Sequence, residues 1–156
     1  MNREEMTKKR DIFQKVCRVK RIELNRESQV LQVLQSECDA LSSQLELYKA
    51  KYLGGVETVN RALADPQRLG LDFADLTTRN YKEAWITTLK LRKATEDKML
   101  AQRSMVEQYQ RQVKLMEGRV LDLSLMIKKD VAARQQAQLD DALGVRIQRR
   151  KNDALK

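Results

Sequence analysis

The stretch MLAQRSMVEQYQRQVKLMEGRVLDLSLMI, residues 99–127, decides the fold. Within it Val106, Tyr109, Val113, Met116, Val120, Leu123 and Ile127 alternate spacings of three and four, and every one is apolar. Such spacing is the a/d seam of a heptad, which asks for a partner helix along its length. Continued backwards, the a series reads Met99, Arg92 and Trp85. Gly118 is the only Gly or Pro between Asp72 and Leu143. The pattern therefore predicts one helix of roughly 70 to 80 residues, on the order of 110 Å at ~1.5 Å per residue.

The partner lies upstream. Phe13, Cys17, Lys20, Leu24, Glu27, Leu31, Leu34, Cys38, Leu41, Leu45, Tyr48 and Tyr52 form a second stripe, ten of the twelve apolar. Ile12, Val16, Val19, Val30 and Val33 widen it near its start. Gly54-Gly55 weakens a helix by ~1 kcal/mol per Gly relative to Ala. The pattern resumes at Val56, Val59 and Leu63, which carries the helix through. Asp65-Pro66 and Gly70 then signal a turn. Proline pushes the residue before it out of the α region, and glycine permits a left-handed backbone. Asp72 and Asp75 are the candidate caps of the second helix.

These boundaries predict a first helix over about 5–63, a turn over about 64–75 and a second helix over about 76–150, in one domain. The expected fold is all-α, an elongated antiparallel two-helix coiled-coil hairpin. In such a pair facing residues have a constant sum of numbers. A turn centred near Gln67 and Arg68 predicts a sum near 137, which sets Tyr52 on Trp85, Tyr48 on Leu89 and Cys17 on Val120. It also sets Lys20 on Glu117, Glu27 on Gln110, and Arg92, Glu96 and Arg103 on Leu45, Leu41 and Leu34. Residues beyond about 137 find no partner, so Ala142–Lys156 should project as a basic single helix or frayed tail.

Composition agrees with a fold that buries only a narrow seam. Charged residues are 34% of the 156 and aromatics 4%, with one Pro and five Gly. No apolar run is long enough to span a bilayer or to form a signal-peptide core, so a cytosolic protein is expected. Cys17 and Cys38 on one helix would lie about 31 Å apart, beyond disulfide reach, and read as small seam residues. Histidine is absent and no Cys-x-x-Cys occurs, so no metal site is expected. Nor is a cofactor, because there is no Gly-rich phosphate loop. A two-helix hairpin also has nowhere to bury paired carboxylates, which argues against an enzyme.

The net charge of +9 is uneven. Residues 1–26 carry +5, residues 128–156 carry +4, and the middle is neutral. Basic ends of this kind can be solvated helix faces. They can bind nucleic-acid phosphates, though no aromatic interleaving or known motif accompanies them here. They can also steer a helix end into an acidic pore.

Tyr48-x-x-x-Tyr52 on a leucine-bearing helix, a turn, then Asn80-Tyr81 and Trp85-Ile86-x-x-Leu89 resemble the FliJ / YscO (SctO) family of type III export stalk proteins. The family serves both flagellar export and virulence secretion. The resemblance implies a hairpin similar to the central stalk of rotary ATP synthases. The end carrying both termini enters the pore of a hexameric export ATPase and promotes its assembly and activity. The other end reaches the cytoplasmic domain of the export-gate membrane protein, and some members bind secretion chaperones. Carried over by type, the gate contact falls on Leu45, Tyr48, Tyr52, Trp85 and Leu89, whereas Leu41, Arg92 and Glu96 depart from the family pattern. The departures favour a virulence-type or divergent flagellar member. Arg146, Arg149, Arg150 and Lys151, past the partnered seam, are the candidate ATPase-ring contacts.

The same residues allow a plainer assignment. Tyr48, Tyr52 and Trp85 can be seam packing, although a cluster that wide can also leave ring edges exposed as anchors. The competing function is a cytosolic scaffolding coiled coil that homodimerises through its seams and binds nucleic acid through its basic ends. The stalk expectation is instead a monomer outside its complex.

Overall fold

A computed structural model describes residues 2–154, with side chains described for residues 2–150. Two helices account for nearly all of it: α1, Arg3–Ala64, and α2, Leu71–Ala154. They pack against each other as an all-α hairpin, and no strand occurs among the described residues.

Local chemistry explains the ends. Glu4 and Glu5 lie in the first turn of α1, where carboxylates favour the positive end of the helix dipole. α1 runs through Gly54-Gly55 and stops at Ala64, two residues before Pro66. The Asp65 carboxylate then accepts a hydrogen bond from the Gln67 amide at 3.1 Å. Arg68 and Gly70 take left-handed backbone, with φ of 48° and 77°. The Gly70 carbonyl accepts the Ala74 amide at 3.0 Å and so opens α2. α2 therefore begins at Leu71, earlier than expected, and neither Asp72 nor Asp75 caps it. Asp72 sits in its first turn, and Asp75 pairs with Arg79 at 2.8 Å.

The helices pack in two compact units. In the unit Leu24–Gln108, Cys38, Leu45 and Val106 are buried, together with Thr78, Thr88 and Thr95. Gly55 of α1 packs directly on Thr78 of α2. A Cβ at Gly55 would lie 3.2 Å from Thr78 Cβ and 3.3 Å from its Cγ2. The two numbers total 133, four short of the expected 137, while Tyr52 meets Trp85 as the expected total sets them. The connection spans residues 65–70, centred between Gln67 and Arg68, which gives a total of 135, between the two values.

The correction changes what fills the seam. Thr88 and Thr95 take the buried positions, while Leu89 is 48% exposed and Arg103 lies outside. Threonine can be buried there because its hydroxyl bonds back to the preceding turn. Thr78 donates to the Ala74 carbonyl at 2.7 Å and Thr95 to the Leu91 carbonyl at 3.0 Å. Arg92 and Glu96 pair with each other at 3.0 Å and are half-buried. Glu27 meets Gln102 instead of Gln110: the Gln102 amide donates to the Glu27 carbonyl at 3.0 Å and to its carboxylate.

The second unit joins residues up to Glu23 with those from Tyr109 onward. Met6, Cys17, Val113 and Leu123 are buried in it. Lys20 does not face Glu117 as expected. It pairs with Glu23 at 2.8 Å and lies 5.3 Å over the Tyr109 ring. The hydrogen bond to Glu23 holds the Lys20 pKa above its ordinary value. Glu117 takes Arg21 instead, and that bond raises the Arg21 pKa. Arg119 covers the Phe13 ring at 5.5 Å. Cys17 and Cys38 are free thiols.

A cross-link tests this register. Leu45 and Thr88 are both buried and their numbers also total 133. Leu45→Cys with Thr88→Cys, in a background lacking Cys17 and Cys38, should close a disulfide within one chain under mild oxidation. Gel mobility and mass distinguish this from a bridge between chains, which alone would contradict the hairpin.

Candidate functional site

The predicted aromatic residues come together in the unit Leu24–Gln108. Tyr52 of α1 stacks on Trp85 of α2, ring centroids 5.8 Å apart and planes 23° from parallel. Tyr48, Tyr52 and Trp85 are half-buried, so each packs on one side and offers an edge on the other. Leu45 is buried and serves the core, while Leu89 is exposed away from the seam. The Trp85 indole Nε1 is buried without an acceptor among the described residues. One helical turn on, Tyr81 carries the Lys51 ammonium 5.4 Å above its ring.

Beside this cluster lies a groove of about 400 Å³ that the sequence did not reveal. Lys51, Gly55 and Ala62 line it from α1, and Leu69, Phe73 and Tyr81 from the other side. Gly55 and Thr78, in contact across the two helices, both lie in its lining. Phe73 and Leu69 escaped notice because they fall inside the expected turn and outside both stripes. The available signal was three large apolar residues, Leu69, Leu71 and Phe73, in a segment read as turn.

The basic candidates belong to the other unit. From Ala132 to Arg150 every residue of α2 is exposed, including Arg146, Arg149 and Arg150. The Lys151 side chain lies outside the described residues. This run keeps helical backbone; Arg134 pairs with Asp130 at 3.1 Å and Gln136 donates to Asp140 at 2.9 Å, while Arg146, Arg149 and Arg150 make no ion pair among the described residues. A second cleft, about 430 Å³, involves Cys17, Arg18, Arg21, Glu117 and Val120. Its acid and one of its bases are already engaged with each other.

Among the described residues no cluster of three potential metal ligands occurs. No described helix is long and apolar enough to cross a membrane. The chain presents an exposed aromatic and apolar surface in one unit and an exposed basic helix run in the other. Comparison with models of known families, with curated proteins and with solved structures finds no match.

Proposed function

We propose that this chain is a non-enzymatic stalk of a type III secretion or flagellar export apparatus, acting in the cytosol between a hexameric export ATPase and the cytoplasmic domain of the export gate. The observation that carries this is the division of labour within α2. One part of the helix is committed to α1 through its seam, and the part from Ala132 to Arg150 is exposed and basic. An exposed basic helix suits an acidic pore that surrounds it. The half-exposed Tyr52–Trp85 stack, with Tyr48 nearby, supplies the anchors for the gate domain. Leu45 is buried and would support that contact from within, while Leu89 would extend it outward. The mechanism is mechanical and allosteric, in that asymmetric contacts inside the ring bias the states of its subunits.

Charge reversal tests the ATPase contact. Arg146→Glu, Arg149→Glu, Arg150→Glu and Lys151→Glu together should cut stimulation of the ATPase by at least about tenfold at moderate salt, since each surface charge adds steering and local attraction. Helical content by circular dichroism should not change, because the described positions are exposed and outside the seam. Undiminished stimulation would remove this tail from the pore.

A further inference from the structure

The two most exposed large apolar side chains among the described residues are Phe73, at 76%, and Leu69, at 71%. Both stand at the turn end of the groove. The groove runs from them along Ala62 and Gly55 to Lys51 and Tyr81, roughly 16 Å away by the ~1.5 Å rise of α1. Its two ends differ in charge. Lys51 meets only the Tyr81 ring among the described residues. At the turn end Asp72 adjoins Phe73 and makes no ion pair among them, and Asp65 lies close in sequence. Arg68 is the cation at that end, while Arg61 and Arg79 are held by Glu57 and Asp75.

We propose that this groove is a self-docking surface through which two copies of the chain pair about a twofold axis. An isologous contact requires one patch to carry both halves of the match. Here the patch carries an exposed Phe73 beside an open groove, with, among the described residues, an acid in no ion pair at one end and a base in no ion pair at the other. Arranged head to tail, each copy lays Phe73 and Leu69 toward the Lys51 end of the other, and Asp72 of each meets Lys51 of its partner copy. A foreign partner has no need of both charges and both shapes on the same surface. Exposed apolar side chains clustered in this way are uncommon on a chain that stays alone. The pairing uses no seam residue, so it leaves the hairpin intact; it departs from the monomer expected of a free stalk, and a stalk chain would leave the dimer before entering a ring.

Sedimentation equilibrium of the full chain over a wide concentration range reads the pairing. The chain should form a reversible dimer that Phe73→Glu weakens by at least about tenfold, a change of about 1.4 kcal/mol. Leu69→Glu, in the turn and outside both helices, should do the same. Lys51→Asp should weaken the dimer, and Lys51→Asp with Asp72→Lys should restore it to within about threefold, as coupled charges do. Arg68→Ala should tighten it. Circular dichroism of each variant establishes that the helices persist. A chain that is monomeric throughout, a dimer indifferent to both Phe73→Glu and Leu69→Glu, or a charge swap that fails to restore pairing would each overturn the proposal.

Discussion

Alanine at both Tyr52 and Trp85 is expected to abolish binding to the gate domain while the protein stays folded and continues to stimulate the ATPase. The two rings stack at 5.8 Å and remain half-exposed, so each can pack inward and anchor a partner with its outer edge. Anchors of this type can cost ≥ ~2 kcal/mol each on truncation, so the pair should weaken binding by at least about a hundredfold. Loss of packing there frays the structure locally, since the Val113–Leu123 seam lies in the other unit. Trp85→Phe is the informative control. It keeps an aromatic face against Tyr52 and removes an indole N–H that has no acceptor among the described residues, so it should retain most of the binding. Circular dichroism, ATPase turnover and gate-domain affinity belong on one preparation. Gate binding that survives the double alanine change with helices intact would make these residues core packing and nothing more. Loss of ATPase stimulation in its place would mean that the two contacts are assigned to the wrong units.

Gly54→Leu and Gly55→Leu should have opposite effects although the residues are neighbours. A side chain at Gly54 enters open space, so leucine there should be neutral or stabilise by up to ~1 kcal/mol through helix propensity. A side chain at Gly55 runs into Thr78, whose Cβ and Cγ2 would lie 3.2 and 3.3 Å from the new Cβ. Leucine at Gly55 must push the helices apart or force Thr78 off its rotamer, at about 1–3 kcal/mol. Urea unfolding midpoints of the two variants decide the matter. Equal effects would mean that Gly55 does not set the approach of α1 and α2, and the register built on it would fall as well.

The hairpin was legible because its signal is redundant. All twelve positions of the α1 stripe are buried or half-buried, as are all seven of the α2 seam. The register was less legible, because it depended on a turn midpoint. Pro66 and Gly70 bracket that midpoint without fixing it. The polar part of the α2 seam was hidden by residue type. Counting back in sevens from Tyr109 lands on Gln102, Thr95, Thr88 and Tyr81. Two threonines do not look like core until their hydroxyls are seen bonded to the preceding turn. Among the candidate site residues, Tyr48, Tyr52 and Trp85 gather as a cluster. Leu89 was placed on the seam only through the mistaken register. The groove beside Phe73 could not be read, because its lining includes the Gly55–Thr78 contact, a tertiary fact with no local pattern.

The stalk proposal stands or falls on stoichiometry with the ATPase. Purified chain titrated into the hexameric export ATPase of the same cell, in the presence of nucleotide, should bind at one chain per ring and raise ATP turnover as it does so. Native mass spectrometry counts the chains, and turnover on the same samples reports the effect. One chain per ring with stimulated turnover is the result the stalk requires. No association, or one chain on every ATPase subunit, would contradict it.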